Sequence, residues 1–255
     1  MIVCFVAAAC LHAPASAGAW AGSGHPFARP PISLVASPAY VSLTGAGREE
    51  VTVTSSGRQP VVVEVARAGY ALDLRGRPRV GRLRASWLGV RPRRARIAPG
   101  ESTTFVVASS PPRRAEPGDH SELVLLVTRP LRTAALAVRM RLGVIVVVRV
   151  RGRIVRRLTP VDLRARRRGR ARQLELLLRN AGNVTEALDT GCLTLGLRRR
   201  GRLVHLRPVA RTLLPHTRGL AEFRYPKRWR GRAVVRIERR RRCPGLALRR
   251  FVLRL

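Results

Sequence analysis

The residue types of a hydrolase triad stand side by side at Asp119, His120 and Ser121. Consecutive residues of a strand point to opposite faces of a sheet, so these three cannot form a proton relay by themselves. They follow Pro117 and Gly118, which favours a turn that enters a strand. The sequence has no G-x-S-x-G, H-E-x-x-H or P-loop pattern. We therefore predict no catalytic residue, no cofactor and no metal site.

The N-terminus has the pattern of a secretory signal. The apolar run Ile2–Leu11 is followed by the small residues Ala15–Ala17, which form a small-x-small cleavage site. A run of about ten residues is too short to span a bilayer. We predict a signal peptide over residues 1–19, a Gly/Pro-rich leader over 20–31, and a mature protein without a transmembrane segment that is secreted, periplasmic or cell-wall associated.

Export decides how the four cysteines are interpreted. Cys4 and Cys10 leave with the signal, although lipidation at Cys10 stays open, and Cys192 and Cys243 remain in an oxidising compartment. A disulfide between these two would close a loop of about 50 residues and stabilise the fold by about 3–4 kcal/mol. The alternative is a pair of unpaired core cysteines.

The chain is strongly basic, with 51 Lys and Arg against 14 Asp and Glu and a net charge of +37. Lys227 is the only lysine, so the positive charge is almost entirely arginine. Arginine has GC-rich codons, and the excess is therefore explained by a GC-rich genome as well as by a binding surface. A hydrophobic content of 45% excludes a fully disordered polycation. If the charge is functional, the densest candidate contacts for a polyanion are Arg166, Arg167, Arg168, Arg170, Arg172, Arg239, Arg240, Arg241 and Arg242.

Arg-Gly-Arg occurs five times, centred on Gly76, Gly152, Gly169, Gly201 and Gly231. An RNA-binding tract would cluster such repeats with aromatic residues. Here the copies are far apart and most lie between β-branched runs, so they predict turns. Nucleic acid is the least favoured partner.

Short β-branched runs separated by turn residues continue along the chain, and no stretch keeps a helical apolar stripe. Val51–Ser55, for example, alternates polar and apolar residues. This pattern predicts an all-β protein of two antiparallel β-sandwich domains. We place the first at 32–155 and the second at 156–255.

The first domain resembles the immunoglobulin-like domain of envelope proteins related to periplasmic pilus chaperones. The resemblance rests on Ile32–Leu43, Val51–Val65, Ile97–Phe105 and Pro117–Leu123. The second resembles a domain of Gram-positive proteins that bind peptidoglycan and WxL-type surface proteins. Its matching stretches are Leu178–Val184, Leu213–His216 and Trp229–Val235.

This resemblance implies two immunoglobulin-like domains and a non-enzymatic protein that binds or chaperones other surface proteins or subunits. One mechanism is β-augmentation, in which an exposed edge strand pairs with a strand of the partner. The best candidate is Leu142–Val150, with Leu142, Val144, Val146, Val148 and Val150 on one side; it is otherwise the buried last strand of the first domain. The competing function is binding of anionic cell-wall polysaccharide or peptidoglycan through the arginine-rich loops.

Overall fold

The fold comes from a computed structural model, which describes residues 30–83, 86–129, 139–169, 171–190, 193–226, 229–239 and 245–255, without the side chains of Arg168 and Arg239. The predicted signal peptide and most of the predicted leader lie outside these residues. The described residues contain strands and turns and no helix, so none of them forms a helix able to cross a membrane.

The residues that the structure describes form nineteen strands. In chain order they are β1 (Leu34–Ser37), β2 (Tyr40–Thr44), β3 (Gly47–Ser55), β4 (Val61–Leu72), β5 (Pro78–Gly81), β6 (Leu88–Arg91), β7 (Arg94–Ile97), β8 (Ser102–Ser109), β9 (Gly118–Thr128), β10 (Arg141–Val150), β11 (Leu158–Arg168), β12 (Ala171–Asn180), β13 (Glu186–Ala187), β14 (Leu193–Arg199), β15 (Arg202–Leu206), β16 (Thr212–Leu213), β17 (Arg218–Arg224), β18 (Arg232–Arg239) and β19 (Arg250–Arg254).

The chain divides into two compact units. The first contains residues up to 68, 85–110 and 122–146, and the second contains 69–84, 111–121 and 147–255. Strands β4, β9 and β10 therefore contribute residues to both units. The domain boundary between residues 155 and 156 stays a prediction.

The first unit has the strand order of an immunoglobulin sandwich. One sheet runs β1-β3-β8-β6, and the other contains β2, β10, β9 and β4 in that order, with β7 also paired to β4. In the immunoglobulin fold strands A, B, E and D form one sheet and C, F and G the other. Strands β1, β3, β8 and β6 correspond to A, B, E and D, and β4, β9 and β10 correspond to C, F and G. The short strands β2, β5 and β7 are additional.

Alternation along the strands builds the core of the first unit. Val51 and Val53 of β3 are buried while Thr52 and Thr54 are partly exposed, and Phe105 of β8 is 1% exposed opposite Val51. Period-two alternation is what a strand with one buried face requires. The prediction from VTVTS is confirmed.

The second unit is also a sandwich. Its sheets run β11-β12-β17 and β15-β14-β18-β19, with a short β13-β16 pair and with β5 on the end of β4. Leucines from facing strands fill its core: Leu174, Leu176, Leu178, Leu193, Leu195 and Leu197 are all fully buried. The predicted all-β fold of immunoglobulin-like sandwiches is confirmed.

The five Arg-Gly-Arg copies lie at turns, as predicted. All five central glycines have positive φ, for example +54° at Gly169 between β11 and β12 and +79° at Gly201 between β14 and β15. This backbone region is open to glycine at little steric cost.

Candidate protein-binding edge

Strand β10 lies between β9 and β2, and two hydrogen bonds show which backbone groups face each neighbour. Thr128 of β9 donates its N–H to the Met140 carbonyl at 3.0 Å, whereas Ile145 donates its own to the Ala39 carbonyl, before β2, at 2.9 Å. Backbone groups of successive residues in a strand point to opposite sides. Even-numbered residues of β10 therefore pair with β9, and odd-numbered residues face the β2 side.

The start of β4 lies at the end of the first sandwich where β1 begins. Leu34 of β1 is opposite Ser55 at the end of β3. Ser55 donates its N–H to the Glu101 carbonyl at 2.9 Å, in the loop that follows β7. Ile97, the last residue of β7, is opposite Val61, the first residue of β4.

Strand β10 also begins at that end. The Val62 carbonyl accepts the N–H of Arg129 at 3.0 Å, and Arg129 is in the connection from β9 to β10. Strand β2 runs toward the opposite end, because β3 returns from there to finish at Ser55. Since Ile145 donates its N–H to Ala39, the residue just before β2, we place the start of β2 beside Ile145.

The residues Arg139–Val144, here called the edge segment, thus have a free side. The odd-numbered residues Arg139, Arg141 and Gly143 come before the point at which Ile145 bonds to the residue that precedes β2, so they lie ahead of the start of β2. Arg139 and Arg141 are exposed, Gly143 is half-buried, and Val144 is fully buried in the core. The segment is therefore the part of the chain at the start of β10 that comes before β2 joins the sheet.

The predicted edge residues lie partly outside this segment. Val144, Val146 and Val148 are at most 1% exposed, Leu142 and Val150 are half-buried, and all five direct their backbone groups toward β9. From Ile145 onward β2 occupies the other side. The edge proposed from the sequence over Leu142–Val150 is therefore narrowed to the first half of β10.

In the second unit, an ion pair between Arg149, which is partly exposed, and the buried Asp119 holds the last part of β10. Arg149 Nε and Nη2 donate to Asp119 Oδ1 and Oδ2 at 2.6 and 2.9 Å, and the Thr185 N–H donates to Oδ2 at 2.8 Å. Burial works against the charge of Asp119, but the hydrogen bonds from Arg149 and Thr185 outweigh it and lower its pKa. Sequence reasoning treated Asp119 as a turn residue, because its partner is 30 positions away.

A second buried carboxylate behaves in the opposite way. Glu186 accepts a hydrogen bond from Arg156 Nη1 at 2.8 Å through Oε2, while its Oε1 is buried without a hydrogen-bond partner. Burial raises the pKa of Glu186, and Arg156 offsets only part of this effect.

Two asparagines organise the loop after β12. The fully buried Asn180 donates to the carbonyls of Val184, Leu213 and Leu214 at 2.8–3.3 Å. Asn183 donates to the carbonyls of Pro117 and Arg153 at 2.8 and 2.9 Å. Both belong to Leu178–Val184, one of the stretches on which the resemblance of the second domain rests, and the sequence analysis assigned them no role.

The predicted polyanion contacts are only partly described. Arg166 Nε lies 3.9 Å from Glu175 Oε2, Arg167 donates to the Gly169 carbonyl, and Arg172 donates to the Trp229 carbonyl. Arg170 and Arg240–Arg242 lie outside the described residues, as do the side chains of Arg168 and Arg239. Their role stays a prediction.

The predicted disulfide is likewise untested, since Cys192 and Cys243 lie outside the described residues. Within the described ranges, no group of three or more His, Cys, Asp or Glu residues is arranged to hold a metal ion.

The described residues thus form an all-β protein of immunoglobulin-like sandwiches, in which β10 begins before its neighbour β2. No known protein-family model matches the sequence, and no curated protein matches it significantly.

Solved structures with a similar chain path include bacterial fimbrial chaperones. The class 5 fimbriae chaperone CfaA matches 87% of this chain and 98% of its own, with 11% identity and a TM-score of 0.48. The SafB chaperone complex with the Salmonella enterica SafA pilin matches with 11% identity and a TM-score of 0.46 over 88% of this chain and 97% of the matched one. The E. coli chaperone DraB matches with 14% identity and a TM-score of 0.43 over 88% and 99%. No residue role follows from these similarities.

Proposed function

We propose that this is a non-enzymatic protein of the cell envelope that binds other surface proteins by pairing with one of their strands. The observation that carries the proposal is the edge segment, where β10 begins before β2 joins it at Ile145, and we infer that the outward backbone groups of Arg141 and Gly143 are open to a partner strand. An added strand would satisfy these groups, and main-chain hydrogen bonds would supply the affinity.

The edge segment also has features that select a partner. An unpaired edge is a hazard for indiscriminate pairing, and charged side chains limit that hazard. Arg139 and Arg141 are exposed along it, so a partner strand with acidic residues at matching positions is favoured over a second copy of this basic chain.

Export to the envelope forms part of the proposal and is supported by the signal-like N-terminus. A strand-binding protein there would meet other exported proteins before their own sheets are complete.

Site-specific photo-crosslinking tests the function. The full chain would carry a photoreactive residue in place of Arg141, and a control chain would carry it in place of Val80, an exposed residue of β5. Both would be exposed to envelope extract, and crosslinked proteins would be identified by mass spectrometry. We expect one defined surface protein to crosslink at 141 and not at 80, with the crosslinks falling in an extended segment. Equal capture at both positions would overturn the proposal.

A further inference from the structure

The outward face of the sheet β15-β14-β18-β19, here called the arginine face, carries two directly opposed pairs of arginines. Arg236 of β18 is directly opposite Arg250 of β19, and Arg232 is directly opposite Arg254. All four are exposed. Like charges directly opposite each other on neighbouring strands destabilise a sheet.

The strands of this sheet contain a single carboxylate to oppose that charge. The Glu238 side chain lies over Gly196, where it leaves no room for a Cβ, and its Oε2 lies 2.8 Å from His205 Nδ1. Among the described residues, no carboxylate lies within 4.0 Å of Arg232, Arg236, Arg250 or Arg254.

The other sheet of the same unit, β11-β12-β17, contains more carboxylates. Glu175 and Glu222 are directly opposite on β12 and β17, and both contact Arg75. Arg211 Nη2 also lies 3.0 Å from Glu222. Arg179 and Arg218 are also directly opposite on those two strands, but that sheet contains three carboxylates, Asp162, Glu175 and Glu222, whereas Glu238 is the single one on the described strands β15, β14, β18 and β19.

Apolar side chains stand between the arginines on this face. Val252, between Arg250 and Arg254, is 50% exposed, and Leu203 of β15, opposite Arg198, is 52% exposed. An anionic bilayer fits both features, because its phosphates attract basic residues and its interface accepts apolar side chains. A soluble polyanion would use only the arginines.

We propose that this arginine face docks the protein on an anionic membrane surface. The site is separate from the edge segment and does not depend on the proposed strand pairing. Guanidinium groups bind phosphate oxygens through paired hydrogen bonds, and the exposed aliphatic side chains enter the interface between headgroups.

Vesicle co-sedimentation of the full chain tests the docking. The probes would be vesicles of phosphatidylcholine alone and vesicles with about a third phosphatidylglycerol, whose negative surface attracts basic residues. Replacing Arg232, Arg236, Arg250 and Arg254 with Gln should weaken binding to the anionic vesicles on the order of several hundredfold, since each basic residue at the surface contributes about fivefold.

The matched control replaces four exposed arginines of the first unit, Arg48, Arg58, Arg93 and Arg96, with Gln. It removes the same total charge, and we expect a much smaller loss of binding. Thermal unfolding of the four-arginine face variant should stay level or rise, because two repulsive pairs are removed.

A second comparison separates a membrane from a soluble polyanion. Val252→Ser should reduce vesicle binding at high salt, whereas Val80→Ser, which alters an exposed residue elsewhere, should not. The proposal would be overturned by equal losses in the two four-arginine variants. Binding to polyphosphate without binding to vesicles would also overturn it.

Discussion

At the residue scale, two buried carboxylates of the second unit have opposite electrostatic settings. Two guanidinium nitrogens and a backbone N–H surround Asp119, so its charged form is favoured and its pKa is lowered. Glu186 has one arginine contact and one oxygen without a partner, so burial prevails and its pKa is raised. A carboxylate keeps its charge when buried only if hydrogen bonds replace its water.

This difference predicts how stability depends on pH. The pKa of Asp119 is lowered in the folded state, so its contribution is present above the usual aspartate pKa and lost as pH falls through the lowered value. Asp119→Asn should cost about 2–3 kcal/mol at neutral pH and flatten the acid limb of the stability profile. Chemical denaturation between pH 2 and 7, about the range of carboxylate titration, measures both. An unchanged acid limb would contradict this role of Asp119.

Glu186 should change stability with pH in the direction opposite to Asp119. Because its folded-state pKa is raised, ionising it destabilises the fold as pH rises above the usual glutamate value. In the same titration, Glu186→Gln should remove this decline. A variant that stays as pH-sensitive as the parent chain would refute the assignment.

Asn180 provides an isosteric test. Its amide nitrogen donates to the carbonyls of Val184, Leu213 and Leu214, so Asn180→Asp would place carboxylate oxygens against carbonyl oxygens. We expect a loss of about 3 kcal/mol or more at neutral pH, partly recovered at low pH where the carboxyl can donate a proton. Thermal unfolding at both pH values checks this, and a variant as stable as Asn180 itself would be inconsistent with the hydrogen bonds.

At the element scale, local patterns were enough to predict the strands but not their neighbours. Alternation in Val51–Ser55 and the Arg-Gly-Arg turns follow from nearest-neighbour chemistry, so the all-β fold was predictable. The edge segment could not be predicted in this way, because it depends on where β2 joins β10, and that follows from pairing between distant residues. The arginine face was missed for the same reason. Its one sequence signal is an arginine pair four residues apart in both β18 and β19.

Strand β10 should respond to proline according to residue parity. Val146 directs its N–H toward β9 and is fully buried, so Val146→Pro should break the ladder and cost about 3 kcal/mol or more. Gly143 directs its N–H to the free side, so Gly143→Pro should cost much less. Thermal unfolding of the two variants compares them. Equal destabilisation would show that both sides of the strand are paired.

At the scale of the whole molecule, the proposed functions involve different parts of the positive charge of +37. In the second unit both sheets expose arginines, but the sheet β11-β12-β17 contains more carboxylates than β15-β14-β18-β19, and in the first unit the edge segment carries Arg139 and Arg141. Strand pairing and membrane docking therefore predict different salt responses. Docking weakens steeply with ionic strength, and backbone pairing changes little.

The predicted disulfide also belongs to this scale. If the chain is exported, Cys192 and Cys243 should be joined, and reduction should lower stability by about 3–4 kcal/mol. Non-reducing peptide mapping of freshly exported protein would find the linked peptides. Two free thiols would contradict the predicted disulfide and would weaken the prediction of export on which it depends.

The most direct test of strand pairing compares two substitutions at one position. Gly143→Ala keeps the backbone N–H, and its Cβ would contact Leu123 at an ordinary 3.6 Å, whereas Gly143→Pro removes the N–H. With the partner identified by crosslinking at position 141, calorimetric titration would measure binding to each folded variant. We predict near-normal binding for Gly143→Ala and a loss of tenfold or more for Gly143→Pro. Equal affinities would show that the partner does not pair with this edge.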